Sequence, residues 1–283
     1  MEVSYTMKLV RSFILTCLIV ALGTFVVVQG LNIMTNKKET PKIQQQVDTP
    51  QGIKLVAIGD SLTKGVGDST QSGGYVPLVA NQLKEAPGVN SVTTKNHGVT
   101  GERSDEILKR IENQKELQTD IEKADIIVLT AGGNDLIQTF KKEKLNINQE
   151  SFLQPETAYK KNLSTILKRL NKHNPKAQIY VFGLYNPYDT IFPEVTEMKD
   201  ILLSWNTATE SLAEENGAIY FSLSNIFNGE KETSLSKTNQ KSEKTATSDL
   251  LYEEDLFHPN DKGYQLIAQQ LYRTILNHEG LAN

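Results

Sequence analysis

The chain has 283 residues, of which 38% are hydrophobic and 23% are charged, so it can form one or two domains and is neither a disordered chain nor a multi-span membrane protein. A formal net charge of −4 argues against a nucleic-acid-binding protein, because such proteins neutralise phosphates with a basic surface. The single cysteine, Cys17, excludes a disulfide framework and a cysteine-based zinc site, and none of the four histidines has metal-ligand spacing.

The first element in chain order is an apolar stretch from Leu9 to Met34 whose only charged residue is Arg11. A helix of this length spans the roughly 30 Å of a bilayer's hydrocarbon core. An uncleaved signal-anchor and a cleaved signal peptide both fit the pattern, and the anchor is favoured because no good cleavage site follows. We therefore predict a transmembrane signal-anchor at residues 1–34, with the rest of the chain outside the cell. Secretion after cleavage is the alternative.

Residues 35–52 are polar, contain two prolines and a run of glutamines, and have the composition of a linker. The folded domain is predicted to cover residues 53–283. This domain has no cysteine, which is compatible with an oxidising exterior. Residues 228–249 are almost wholly polar and are predicted to be an exposed insertion loop, with a lid over the site as the less favoured alternative.

Five segments of this domain are predicted to be β-strands. Four are short continuous apolar runs, which are typical of parallel strands buried on both faces, and the segment at 92–94 is weaker. The segments are residues 55–58, 92–94, 126–129, 179–182 and 219–221.

Amphipathic helices are predicted between and after the strands. Apolar residues keep helical spacing over residues 107–111, with Ser104 as the predicted N-cap, and over residues 159–170, 198–212 and 264–275. Alternating strands and helices indicate a three-layer α/β sandwich with right-handed crossovers.

Four short polar segments lie after predicted strands or before the last predicted helix, at the sheet edge where parallel sheets bind ligands. Each one alone is explained at least as well by an ordinary turn or helix cap. The segments are Gly59-Asp60-Ser61-Leu62, Asn96-His97-Gly98-Val99-Thr100-Gly101, Gly132-Gly133-Asn134-Asp135 and Asp255-Leu256-Phe257-His258-Pro259.

In combination these segments contain the parts of a serine hydrolase. Ser61 follows a strand on a tight turn, which exposes the hydroxyl of a nucleophile. The Gly101 N–H and the Asn134 amide are donors that can stabilise an oxyanion. Asp255 precedes His258 by three residues, so its carboxylate can bond one imidazole nitrogen and leave the other free for a serine.

Taken in this order, the four segments resemble the SGNH (GDSL) family of serine esterases and acylhydrolases, and the resemblance extends over the whole predicted domain. It implies a flavodoxin-like fold with five parallel strands. It also implies that Ser61 is the nucleophile, His258 the general base and Asp255 the acid that orients it. The Ser61 N–H, Gly101 and Asn134 then form the oxyanion hole, with Gly98 as the alternative to Gly101 and with supporting roles for Asp60 and Gly133.

The motifs are most similar to a Gram-positive subgroup of lipase/acylhydrolases described as lysophospholipase-like. We therefore expect a serine esterase that cleaves esters of lysophospholipids or other acyl lipids and needs neither a metal nor an organic cofactor. The expected partners are a small ester or lipid and the membrane, with no nucleic acid. An O-acetylesterase acting on cell-wall carbohydrate is the alternative, and a non-catalytic binding module is a remote one. Tyr185, Asn186 and Tyr188 are candidates for the acyl pocket.

Overall fold

The computed structural model describes residues 51–143, 149–187, 196–227 and 247–279. The predicted signal-anchor, residues 35–50 of the linker, Tyr188 and residues 228–246 of the insertion loop lie outside these ranges. No helix within the described ranges combines the length and the apolar character that crossing a membrane requires.

Five parallel strands form a single sheet in the order β2-β1-β3-β4-β5, which confirms the predicted α/β class. This order is the one found in flavodoxin-like doubly wound sheets. The strands are β1 (Gln51–Gly59), β2 (Val89–Gly98), β3 (Ile126–Leu129), β4 (Gln178–Phe182) and β5 (Ile219–Phe221).

Two strands are longer than the apolar pattern predicts. β1 begins at Gln51, two residues inside the predicted linker, because Gln51 and Gly52 already pair with Val89 and Ser91 of β2. β2 is an edge strand of ten residues in which only Val92 and Gly98 are buried, so most of its side chains face solvent and give no apolar signal.

Nine helices lie in the described ranges. They are α1 (Ser61–Lys64), α2 (Tyr75–Lys84), α3 (Ser104–Asn113), α4 (Lys115–Lys123), α5 (Gly133–Glu143), α6 (Gln149–His173), α7 (Thr196–Glu215), α8 (Leu223–Phe227) and α9 (Asp261–Glu279). A 3₁₀ turn at Thr247–Leu250 occupies the end of the predicted insertion loop.

The predicted N-cap of α3 is wrong by one residue. The helix begins at Ser104 itself, and Arg103 occupies the N-cap position. The reason is a tertiary contact: the Ser104 hydroxyl and backbone N–H both donate to Asp135, at 2.5 and 2.9 Å, so this serine is bonded to another segment instead of capping its own helix.

Successive strand residues pack into opposite cores, which explains why the strands are apolar throughout. Val56 and Ile58 of β1 pack with helices α3 to α7, whereas Leu55 and Ala57 pack with α2, α8 and α9. Trp205 of α7 is fully buried in the first core. The two cores make the molecule a three-layer sandwich with the carboxyl ends of β1, β2 and β3 along one edge.

Candidate active site

The turn after β1 presents Ser61 at the edge of the sheet. Gly59 ends the strand, and a Cβ atom there would lie 2.0 Å from the Thr130 hydroxyl oxygen, so a larger residue cannot occupy this position without a shift. Asp60 caps the following helix, because its Oδ1 accepts a hydrogen bond from the Leu62 N–H at 3.1 Å. The turn therefore places Ser61 as the first residue of α1.

Ser61, His258 and Asp255 form a continuous hydrogen-bonded chain. The Ser61 Oγ lies 2.8 Å from His258 Nε2, and His258 Nδ1 lies 2.5 Å from Asp255 Oδ2. The other Asp255 oxygen accepts the backbone N–H groups of Phe257 and His258 at 2.9 and 3.0 Å. Burial opposes ionisation of Asp255, but these hydrogen bonds outweigh it and lower the pKa of the carboxyl. An imidazole held in this way can accept the serine proton.

Asn134 joins the loop after β3 to the loop after β2. It lies in the first turn of α5, lines the cavity beside Ser61, and its Nδ2 donates to the Glu102 backbone oxygen at 2.9 Å. Its neighbour Asp135 accepts the two Ser104 bonds described above, and the Ser104 hydroxyl also accepts from Asn162 at 2.9 Å. Burial raises the pKa of Asp135.

Gly101 and Gly98 have different environments. Gly101 has a φ of 83°, and a Cβ there would meet nothing within 4 Å, so its backbone conformation rather than lack of space favours glycine. The Gly98 N–H donates to the Asn96 side chain at 2.9 Å. By contrast, the N–H groups of Ser61 and Gly101 donate to no acceptor in the described part of the chain. Ser61 lines the cavity described below, whereas Gly101 does not.

A buried chain of polar side chains that local sequence patterns did not predict supports the turn that carries Ser61. The Asp60 carboxyl accepts from the Thr130 hydroxyl at 2.9 Å, which lies 2.9 Å from the Thr63 hydroxyl, which in turn lies 2.9 Å from the Tyr75 hydroxyl. Burial raises the pKa of Asp60 in spite of the hydrogen bonds from Thr130 and Leu62. The only sequence feature that indicates the bond between Thr130 and Asp60 is the position of Thr130, which directly follows β3 at the same sheet edge as the Gly-Asp-Ser-Leu motif.

The cavity that ends at Ser61 and His258 has mostly apolar walls from α5, α7 and the segment after β4. Its volume is about 80 Å³. The apolar lining includes Leu136, Ile137, Phe140, Leu184, Tyr185, Pro187, Met198, Leu202 and Phe257. Tyr185 thus lies where the sequence predicted, whereas Asn186 is buried but does not line the cavity.

His97, in the second of the four polar segments, lies in strand β2, where its Nε2 is 2.8 Å from Asp120. Within the residues described, no group of three or more His, Cys, Asp or Glu side chains is arranged to hold a metal ion.

Comparison with known proteins agrees with this geometry. The model of the GDSL-like Lipase/Acylhydrolase family matches residues 57–266. The uncharacterized protein YpmR of Bacillus subtilis (strain 168) is 34% identical over 237 residues, which cover 83% of this chain and 86% of that protein.

Two solved structures share the fold. The lipase Lip_vut3 from a goat rumen metagenome superposes with a TM-score of 0.65 at 22% identity, covering 78% of this chain and 96% of that one. The acetylxylan esterase Axe2 of Geobacillus stearothermophilus superposes with a TM-score of 0.59 at 20% identity, covering 81% and 96%. Because these two proteins act on different esters, the shared fold leaves the choice of ester to the local shape and polarity of the site.

Proposed function

Because this chain belongs to the GDSL-like lipase/acylhydrolase family and is thus a carboxylic ester hydrolase, we propose that its substrates are esters of medium or long single acyl chains, including lysophospholipids. The observation that carries the proposal is the apolar cavity that ends at Ser61. An acetyl group would leave most of such a wall in contact with water. A longer acyl chain covers the wall, and each buried CH₂ group contributes about 0.8 kcal/mol of favourable binding free energy.

The size of the cavity supports a chain of medium length or longer. Its volume of about 80 Å³ compares with about 10–15 Å³ for one water molecule on the same measure, so it accommodates roughly five to eight groups of that size. The cavity also extends along α5, because Asn134 and Phe140 both line it and lie six residues apart, which corresponds to about 9 Å of helix rise.

The proposed reaction uses Ser61 as the nucleophile and His258 as the base. His258 Nε2 takes the Ser61 proton as the Oγ attacks the ester carbonyl, and the new C–O bond leaves an oxyanion that the Ser61 and Gly101 N–H groups and the Asn134 amide stabilise. His258 then protonates the departing alcohol as its C–O bond breaks. Water repeats the sequence on the acyl-enzyme and releases the acid. Asp255 keeps the imidazole oriented and stabilises its charged form.

The activity is also proposed to take place at the outer face of the membrane. The apolar stretch from Leu9 to Met34 would hold the domain there, and single-chain amphiphiles are substrates found at that surface. Protease added to intact cells should then digest the domain, and a high-salt wash should not release it, because the attachment is hydrophobic. Recovery of a shortened protein in the medium would indicate that the signal is cleaved.

An acyl-length profile tests the choice of substrate. We expect kcat/KM to rise from acetyl through butyryl to octanoyl esters, with activity on lysophosphatidylcholine and little on acetylated glycan. Met198→Trp, which adds volume at the α7 wall, should lower kcat/KM for octanoyl esters by about tenfold or more and spare acetyl esters, since one or two displaced methylenes cost about 1–3 kcal/mol.

Leu203→Trp is the matched control, because Leu203 lies on the same helix but is 66% exposed. It should leave the profile unchanged. If activity instead peaks at acetyl esters and is absent on lysophosphatidylcholine, the protein is a carbohydrate O-acetylesterase with the same catalytic residues.

A further inference from the structure

One side chain outside the cavity wall contacts two of the three segments that carry the proposed oxyanion donors. Arg110, in the last turn of α3, donates from Nη2 to the Gly59 backbone oxygen at 3.2 Å and from Nε to Glu102 Oε2 at 2.6 Å. Gly59 lies two residues before Ser61, and Glu102 directly follows Gly101. The guanidinium therefore links the nucleophile turn to the loop after β2.

Both ends of this link continue into the site. The Gly59 oxygen also accepts the Val99 N–H at 2.9 Å, and the Glu102 backbone oxygen accepts the Asn134 amide at 2.9 Å. Arg110 thus closes a ring of contacts between the Ser61 turn and the loop after β2, and the Asn134 amide is attached to this ring through the Glu102 backbone oxygen. Its side chain is only 11% exposed and that of Glu102 only 17%, so water competes weakly for these bonds.

We propose that Arg110 is a positioning residue of the oxyanion hole, holding the Ser61 turn and the loop of residues 98–102 at the separation that makes their donors converge. The inference rests on the proposed function, because it takes the Ser61 and Gly101 N–H groups and the Asn134 amide as those donors. Arg110 itself does not line the cavity, so its effect reaches the substrate only through these donors.

The chemistry of the guanidinium explains why arginine fits this position. It presents several N–H donors in one rigid plane, so Nε and Nη2 reach two acceptors at a fixed angle, whereas the ammonium of lysine is a single point of charge. A neutral side chain would leave the Glu102 carboxylate unpaired and largely buried, which is unfavourable.

Arg110→Lys tests the inference, with Arg169→Lys as the matched control. Arg169 of α6 forms the same kind of pair with Glu112 of the same helix α3, at 3.1 Å from Nε and 3.0 Å from Nη2, but it is 43% exposed and distant in sequence from the proposed site. On an ester that the wild type hydrolyses, Arg110→Lys should lower kcat about 10- to 100-fold and change KM less than about twofold, because small misplacement of catalytic groups has effects of this size. Arg169→Lys should behave as the wild type.

A second measurement separates positioning from folding. A fluorophosphonate places an oxygen of its tetrahedral adduct where the oxyanion forms, so its maximal rate of reaction with Ser61, normalised to folded protein, should fall in parallel with kcat in Arg110→Lys. Glu102→Gln keeps the arginine and an acceptor for its Nε, but replaces a charged hydrogen bond with a weaker neutral one, so kcat should fall only about three- to tenfold.

The outcomes distinguish the inference from the proposed function. If the wild type hydrolyses the ester and Arg110→Lys has the same kinetics as Arg169→Lys, the positioning role is overturned and the proposed function is not. A rise in KM with unchanged kcat, or a loss explained entirely by the unfolded fraction, would overturn it as well. A folded wild-type protein that hydrolyses no ester would overturn the proposed function and this inference together.

Discussion

The two sides of the site are fixed in opposite ways. The turn that carries Ser61 is buried, with Asp60 and Ser61 each 6% exposed, and the side chains of Thr130 and Arg110 hold it from two other segments. The segment that carries Asp255 and His258 lies near the surface and is held mainly by hydrogen bonds to its backbone, among them the Tyr185 hydroxyl to the Phe257 oxygen at 2.5 Å. Ser61 is therefore fixed by burial together with side-chain bonds to its turn, whereas His258 is fixed by a few bonds to the backbone of its segment.

The carboxyl groups of the two regions show the difference most directly. Burial raises the pKa of Asp60, whereas hydrogen bonds from His258 and Phe257 outweigh burial and lower the pKa of Asp255. Asp60 shapes a buried turn, and its low-dielectric surroundings make its ionised form less favourable. In the proposed mechanism Asp255 stabilises an imidazolium and therefore has to be ionised, and the donors around it favour that form.

The largest effect is expected from variants that remove the hydrogen bond between Ser61 and His258, which links the two regions. Ser61→Ala and His258→Ala should each lower kcat by roughly 10⁴-fold or more, because the residues of such a triad act as a unit. Both variants should keep the wild-type circular dichroism spectrum. A folded Ser61→Ala protein with near-normal turnover would contradict the serine mechanism, and a fluorophosphonate probe that still labelled this variant would place the nucleophile elsewhere.

Asn134→Ala removes a donor on the buried side without breaking the triad. We expect kcat to fall about 10²–10³-fold with little change in KM, since the amide bonds a charge that exists only in the transition state. Steady-state kinetics on one ester measure both constants. The opposite result, a higher KM with an unchanged kcat, would make Asn134 a substrate-binding residue, and the oxyanion would need a different side-chain donor.

Tyr185→Phe weakens the exposed side and leaves the buried side unchanged. The variant loses the hydroxyl that bonds the Phe257 oxygen but keeps the ring, which stacks on Phe227 with centroids 4.0 Å apart. We expect kcat to fall about three- to tenfold, because one bond of several to this segment is lost and a typical net hydrogen bond contributes about 0.5–1.5 kcal/mol. Tyr272→Phe, on α9 and away from the cavity, serves as the control. Equal kinetics for the two variants would show that the segment does not depend on this bond.

The same division explains what the sequence could predict. Asp255 and His258 lie three residues apart, and Ser61 and Asn134 each follow a short apolar strand, so local patterns marked them as candidates and the resemblance to the SGNH family implied their roles. Arg110 and Thr130 contact the turn that carries Ser61 across 51 and 70 residues of chain. Nothing in the sequence around Arg110 indicates its contact, and the only sign for Thr130 is its place directly after a strand. Helices α2, α4 and α5 were not predicted, and α4 has only two buried residues, Leu117 and Ile121, which form a weak periodic pattern.

The smallest expected effect is on stability: removing the Asp60 carboxyl and removing the Asp255 carboxyl should change the pH dependence of the Tm in opposite directions. Below an unfolded-state pKa of about 3.9, Asp60 is protonated in both the folded and the unfolded protein. Above that pH the unfolded chain loses this proton first, so the free energy of unfolding falls as the pH rises through the raised folded pKa. The Tm of the wild type minus that of Asp60→Asn should therefore fall as the pH increases above about 4. For Asp255 the folded pKa is lowered, so its stabilisation is complete above about pH 3.9 and is lost as the pH falls through the folded value. The Tm of the wild type minus that of Asp255→Asn should thus decrease on acidification below about pH 4. Thermal melts of the three proteins from pH 3 to 7 measure both slopes, and two slopes of the same sign would mean that the two carboxyl groups are not held in opposite ways.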